Sequence, residues 1–255
     1  MITSTDQLNR ELKLPAPPQR IVSLVPSLTE LLFDLGLEQR ICGVTSFCVH
    51  PKHARKSCTV IGGTKKPKLD RILNLKPDLI VANKEENNQA DVETLAKEVP
   101  VWVSDIKTLL DNNTAILSLG EVTQTTSIAQ NLVTQIEEKQ RQLPKRDLKR
   151  ALYLIWRKPY MSIGGDTFIN EMMLQAGYEN ILADQIRYPE LTAAQIIELS
   201  TEVILLSSEP YPFRERHIQE LQELSPKSII RLVDGELFSW YGSRVVKALD
   251  MFQNS

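Results

Sequence analysis

Short apolar runs limit what this chain can become. Leu79-Ile80-Val81-Ala82 and Val203-Ile204-Leu205-Leu206 are among the longest, the length of strands buried on both faces. They fall far short of the roughly 18–20 apolar residues that cross a bilayer. Such runs alternate with helical patterns. Strands are predicted at 21–25, 41–45, 79–82 and 101–103, with helices at 29–37, 69–75 and 92–99 between them. The same order returns in the second half: strands at 151–156, 203–206 and 229–233, helices at 167–176, 193–199, 214–224 and 243–252. Buried strands separated by helices predict parallel βαβ units. One echo links the halves: Ile72-Leu73-Asn74-Leu75 through Ile80-Val81 resembles Ile196-Ile197-Glu198-Leu199 through Ile204-Leu205.

Between the halves, residues 111–143 contain no proline and only Gly120. Asp111, Asn112, Asn113 and Thr114 are all good helix N-caps. Ile128, Leu132 and Ile136 recur every fourth residue, the mark of one buried helical face. One helix of about 28–30 residues, roughly 42–45 Å long, is the expectation. The fold class is therefore α/β: two Rossmann-like βα lobes joined by one long backbone helix, with an interlobe ligand cleft and little relative movement. The divisions are a proline-rich lead-in at 1–19, an N-terminal lobe at 20–110, the connecting helix at 111–145 and a C-terminal lobe at 146–255.

Composition narrows the function. Apolar residues at 42% and charged residues at 24% over 255 residues exclude disordered, collagenous and coiled-coil chains. Thirty basic against 32 acidic residues leave a net charge of −2, so nothing draws the whole chain to nucleic acid or an anionic membrane. Three cysteines cannot all pair with one another. The start, MITSTDQLNRELKLPAPPQR, has no hydrophobic segment and no small-residue cleavage site. A cytoplasmic protein and one whose leader has been removed both fit.

The segment 46–66 concentrates metal-ligating side chains: His50, His53, Cys48 and Cys58, with Cys42 just upstream. Imidazole and thiolate suit zinc, copper and iron, but no CxxC or HExxH spacing occurs. Cys42, in an apolar strand, reads as a small hydrophobe. His50 is a candidate metal contact or an exposed loop histidine, and Phe47 is the loop's aromatic candidate for a ligand. Gly63, Thr64 and Lys65 follow Gly62, offering backbone amides and an ammonium to an acidic or amide rim, or forming a simple turn.

Downstream, Trp156-Arg157-Lys158-Pro159-Tyr160 leaves a strand end, where open α/β sheets bind ligands. Arg187, Tyr188, the stretch Tyr211-Pro212-Phe213-Arg214, Trp240 and Tyr241 add loop aromatics and cations. Rings of this kind hold a flat macrocycle by stacking, with a few hydrogen bonds at its rim. Asp166 and Thr167 match a helix N-cap. Enzymatic signatures are missing: no GxSxG elbow, no Walker A motif and no GxGxxG after a strand. His217, beside Arg214, Glu215 and Arg216, reads as part of a solvated face. The expectation is a binding protein, not an enzyme, with no intrinsic cofactor.

An ordered set of segments carries a family resemblance from Arg20 onward. It comprises Arg20-Ile21-Val22-Ser23-Leu24-Val25-Pro26-Ser27-Leu28-Thr29-Glu30, Val44-Thr45-Ser46, Leu69-Asp70-Arg71-Ile72 and Lys76-Pro77-Asp78-Leu79-Ile80. In the second half it continues with Gly164-Gly165-Asp166-Thr167-Phe168-Ile169-Asn170, Gly177-Tyr178-Glu179-Asn180-Ile181 and Gly242-Ser243-Arg244. The chain resembles the helical-backbone (class III) substrate-binding proteins of ABC importers, especially cobalamin receptors.

That resemblance implies a metal-chelate ligand, a cobalamin-like corrinoid first, with haem or a ferric siderophore next. It also implies an extracytoplasmic site of action and an ABC permease as partner. A ferric siderophore would draw on arginines, for which Arg157, Arg187, Arg214 and Arg244 are available. In cobalamin receptors the place of His50 is held by a ligand-facing aromatic residue. The resemblance also implies one permease-docking acid per lobe, here Asp70 and Glu223, with Glu220 the neighbouring candidate and a helix-start role the other reading of Asp70. The rivals are a cytoplasmic metal-chelate-handling protein or enzyme on the same fold, lacking a transporter partner, and a ligand-reporting sensor domain.

Overall fold

The computed structural model describes residues 1–254. Its contacts divide into two compact units, residues 1–135 with 241–244, and residues 136–240 with 245–254.

The first unit opens on a hairpin, β1 (Ile2–Thr5) and β2 (Glu11–Leu14), paired antiparallel. The lead-in is therefore folded. Alternation in Glu11-Leu12-Lys13-Leu14 sends both leucines into the core. The buried carboxylate of Asp6 ties the turn together. It accepts from the backbone N–H of Leu8, Arg10 and Val103 and from the Arg10 guanidinium, at 2.7–3.2 Å.

There follow β3 (Ile21–Ser23), α1 (Pro26–Asp34), β4 (Ile41–Val44), α2 (Ala54–Ser57), β5 (Thr59–Val60), α3 (Leu69–Asn74), β6 (Leu79–Asn83), α4 (Gln89–Ala96) and β7 (Val101–Ser104). The five strands make one parallel sheet in the order β5-β4-β3-β6-β7. Leu79–Asn83 is buried throughout, as an unbroken apolar run at a sheet centre requires.

The segment expected as one long helix is two: α5 (Leu109–Thr123) and α6 (Thr126–Gln142). Gln124 between them is left-handed, at φ 57° and ψ 42°, which stops helical hydrogen bonding. Gly120 makes the turn possible, because a Cβ there would lie 2.5 Å from the Ala129 Cβ. Thr108 and Asp111 form a capping box, so the helix begins before the Asp111 start that was expected. On α6 the buried residues are Ala129, Val133 and Ile136; Ile128 is exposed. The buried face is thus turned by one residue from the expected one. The boundary between the units falls inside α6, after Gln135.

The second unit contains β8 (Lys149–Leu154), β9 (Tyr160–Met161), α7 (Phe168–Gln175), β10 (Tyr178–Asn180), β11 (Glu190–Leu191), α8 (Ala193–Leu199), β12 (Val203–Ser207), α9 (Glu215–Leu224), β13 (Ile229–Val233) and α10 (Gly235–Ser239). Last comes α11 (Arg244–Gln253). A parallel sheet runs β10-β8-β12-β13, and β9 pairs with β11 antiparallel. Leu152, Leu154, Ile204 and Leu206 meet Ile196, Phe213 and Leu221 in its core. The α/β class with parallel sheets is as the sequence predicts. No helix among the described residues is long and apolar enough to cross a membrane.

Candidate functional site

The carboxyl ends of β4, β5 and β6 gather the first group of candidate side chains and their partners, the edge where parallel sheets bind ligands. Thr45, directly after β4, accepts the Phe47 backbone N–H at 3.3 Å and sits 3.3 Å from the Cys48 thiol. Cys48 is buried, held also by the Thr29 hydroxyl at 3.1 Å, while Phe47 remains 59% exposed. Gly63 lies against the Phe47 ring: an added Cβ would come within 3.3 Å of its Cε2. His50 is half-buried in the same loop. The segment that begins Gly62-Gly63-Thr64-Lys65 is a turn, closed by a bridge between Gly62 and Pro67, and the Gly63 N–H is spent on the Lys66 carbonyl at 3.3 Å. Lys65 donates to the Glu85 carbonyl at 2.6 Å, and Asn87 donates to the Thr64 carbonyl at 3.1 Å. These groups hold the loop together before any ligand arrives.

His53 is engaged with Glu38 at 2.8 Å. No group of three or more His, Cys, Asp or Glu side chains that could hold a metal ion occurs among the described residues.

In the second unit, Trp156–Tyr160 is the tip of a short reversal after β8. Ile155 donates to the Met161 carbonyl at 2.9 Å and Met161 to that of Trp156 at 3.1 Å. Trp156 is 39% exposed and meets Tyr211 edge-on at 5.6 Å; Tyr211 meets Phe213 at 4.9 Å. His217 lies beneath them, 5.5 Å from the Phe213 ring, and its Nδ1 accepts the Arg214 N–H at 2.9 Å. It is buried, not on a solvated face, because Phe213, His217 and Leu221 share one inward side. Burial holds the His217 imidazole below its ordinary range, helped by Arg216 and Arg157.

Arg157 is bound to Glu220, with Nε 3.0 Å from both carboxylate oxygens and Nη2 2.7 Å from Oε2. Tyr160 donates to Glu220 Oε1 at 2.5 Å. The Arg157 hydrogen bonds hold the Glu220 carboxyl below the usual range. Burial, with Glu220 second, pushes the Tyr160 phenol up to about 12. Arg187 is exposed with a left-handed backbone (φ 60°), its N–H donating to Asp166 Oδ1 at 2.6 Å; Tyr188 beside it is half-buried. Thr167, not Asp166, caps α7.

Trp240 and Tyr241, expected as loop aromatics, are both buried. Trp240 Nε1 donates to Glu209 Oε1 at 2.9 Å, which also accepts from Ser239 at 2.8 Å. Burial raises the Glu209 carboxyl above its ordinary range. The Tyr241 hydroxyl donates to Glu86 at 2.9 Å, and burial, with Glu86 next, pushes its phenol well up. Glu86 and Glu209 were not singled out from sequence; each lies just beyond a strand end, which was the available signal. Arg244 is likewise engaged, its guanidinium bidentate on Glu30 at 2.8 and 2.9 Å with both side chains buried. Asp70 and Glu223 are exposed, on α3 and α9, whereas Glu220 belongs to the Arg157 cluster.

The chain is similar to several known proteins. It is 28% identical over 216 residues, 80% of this chain and 68% of the relative, to the uncharacterized ABC transporter substrate-binding lipoprotein YvrC of Bacillus subtilis (strain 168). It is 27% identical to the vitamin B12-binding protein of Vibrio campbellii (strain ATCC BAA-1116), over 75% of this chain and 71% of that one. Among solved structures, the periplasmic vitamin B12 binding protein BtuF of Vibrio cholerae superimposes with a TM-score of 0.80 at 21% identity, covering 94% of this chain and 97% of that one. The periplasmic heme-binding protein RhuT of Roseiflexus sp. RS-1 gives a TM-score of 0.77 at 21% identity, covering 92% and 98%. The periplasmic binding protein family model matches residues 21–225, and the chain belongs to that family.

Proposed function

We propose that this chain is the extracytoplasmic substrate-binding protein of an ABC importer and that its ligand is a corrinoid of the cobalamin type. The observation that carries the choice of ligand is the state of the cations. Of the candidate cations, Arg157 is neutralised by Glu220 and Arg244 by Glu30, and Lys65 donates to a backbone carbonyl, which leaves the exposed Arg187 and Arg214 as the ones an anion could engage. Displacing a paired carboxylate costs an anionic ligand much of what it would gain. A macrocycle rimmed by neutral amides incurs no such cost and can exchange hydrogen bonds with backbone groups and with Tyr160. Haem, with its propionates, and anionic ferric siderophores fit this charge state less well.

In this reading Phe47, His50, Trp156, Tyr160 and Tyr188 face the ligand, with Gly63, Thr64 and Arg187 at its rim. Trp240 and Tyr241 brace the strand-end loops from beneath. Asp70 and Glu223 are the permease-docking acids, and each is exposed.

The test is uptake of labelled cobalamin by cells that depend on this chain and its cognate permease. Asp70→Lys with Glu223→Lys should abolish uptake while leaving the affinity of the purified protein for cobalamin unchanged. Uptake that survives the double reversal removes the docking assignment.

A further inference from the structure

Two thiols in the first unit stand side by side on neighbouring strands. β4 and β5 are parallel, with Gly43 opposite Thr59 and Val44 opposite Val60. One step back along both strands sets Cys42 opposite Cys58, on the same face of the sheet. The hydrogen bonds agree with this register. The Cys42 thiol donates to the Ile21 carbonyl at 3.4 Å, and the Cys58 thiol to the Ile41 carbonyl at 3.3 Å. Ile21 and Ile41 are themselves register partners on β3 and β4. The two sulfurs thus occupy equivalent places one strand apart.

Neighbouring strands lie about 4.7–4.9 Å apart, inside the roughly 4.4–6.8 Å window of Cα separations that a disulfide spans. Cys58 is the extended residue directly before β5, a two-residue edge strand, so a small shift can bring its Cβ closer. Both residues are half-buried.

We propose that Cys42 and Cys58 form a reversible disulfide that clamps the base of segment 43–57, the loop bearing Phe47 and His50. The oxidant is a small-molecule or protein disulfide. The Cys58 thiolate attacks one sulfur of that disulfide, expelling its partner as a thiolate and leaving a mixed disulfide. The Cys42 thiolate then attacks the Cys58 sulfur and expels the second thiolate. The cysteine pair loses two electrons and two protons, and the oxidant gains both as two thiols. Cys48 stays out, because its side chain is fully buried and held by Thr29 and Thr45. Burial raises both pairing thiols, so exchange is slow at neutral pH and faster in mild alkali.

The experiment uses the full-length protein incubated at length with oxidised glutathione in mild alkali, about pH 9, where the thiolate fraction exceeds that at neutral pH. Free thiols are then counted in denaturant, and proteolytic peptides are weighed. The expected result is one free thiol per chain, with Cys42 and Cys58 in one linked pair that dithiothreitol releases. Cys42→Ser and Cys58→Ser should each yield no intramolecular link. Three free thiols after prolonged oxidation, or a link that includes Cys48, would overturn the proposal. Wild type alone decides the matter should a serine variant fail to fold.

Discussion

Arg157 spends its Nε and Nη2 on one carboxylate, that of Glu220, at 3.0 and 2.7 Å. A guanidinium at a strand end would ordinarily mark an anion site, yet this one is already paired and Tyr160 adds a third donor. Glu220→Gln keeps the shape and removes the countercharge. It is expected to tighten binding of haemin relative to cobalamin by roughly tenfold, about 1.4 kcal/mol. Parallel absorbance titrations of wild type and variant check this; an unchanged ratio contradicts it.

The buried ion pair between Glu30 and Arg244 links α1 to the first residue of α11. Glu30→Ala removes the carboxylate from a buried guanidinium, and is expected to cost about 3–5 kcal/mol in urea unfolding. A loss under 1 kcal/mol would mean that the pair reorganises into solvent.

His217 and Glu220 make stability depend on pH in the same direction. The folded imidazole resists protonation, so below its ordinary value of 6.5 the unfolded chain binds the extra proton. The folded Glu220 carboxyl is also depressed, so its contribution is full above the ordinary value of 4.5 and fades as pH falls through the folded value. Unfolding midpoints should therefore drop as pH falls from 7.5 to 5.5, with a further loss below 4.5. His217→Gln should flatten the first interval and Glu220→Gln the second, read by urea melts at each pH.

Much of the fold was legible because parallel strands advertise themselves as short apolar runs, as at Leu79-Ile80-Val81-Ala82. The break at Gln124 was not, since neither glycine nor proline marks it and the turn comes from Gly120 accepting Ala129 four residues beyond Thr125. The hairpin at the start carried an alternation at Leu12 and Leu14 that the prolines after it obscured. His217 looked solvated because its sequence neighbours are charged, while its spacing of four from both Phe213 and Leu221 pointed inward. Candidate site residues were legible as residue types at strand ends. Their charge state was not, because Glu220 lies 63 positions from Arg157.

The break itself is testable. Gly120→Ala should cost about 1–3 kcal/mol by overpacking against Ala129, whereas Gln124→Gly should gain about 0.5–1 kcal/mol by relieving the left-handed backbone. A reversal of both signs, with Gly120→Ala stabilising and Gln124→Gly destabilising, would argue for a continuous helix in solution.

Calorimetric titration of the purified protein with cobalamin, cobinamide, haemin and a ferric siderophore separates a corrinoid receptor from a haem or siderophore receptor. Cobalamin or cobinamide should bind below about 1 μM, near −8 kcal/mol, and at least tenfold more tightly than haemin or the siderophore. No corrinoid binding below about 100 μM, roughly −5.5 kcal/mol, or a preference for either anionic ligand, would contradict the corrinoid reading.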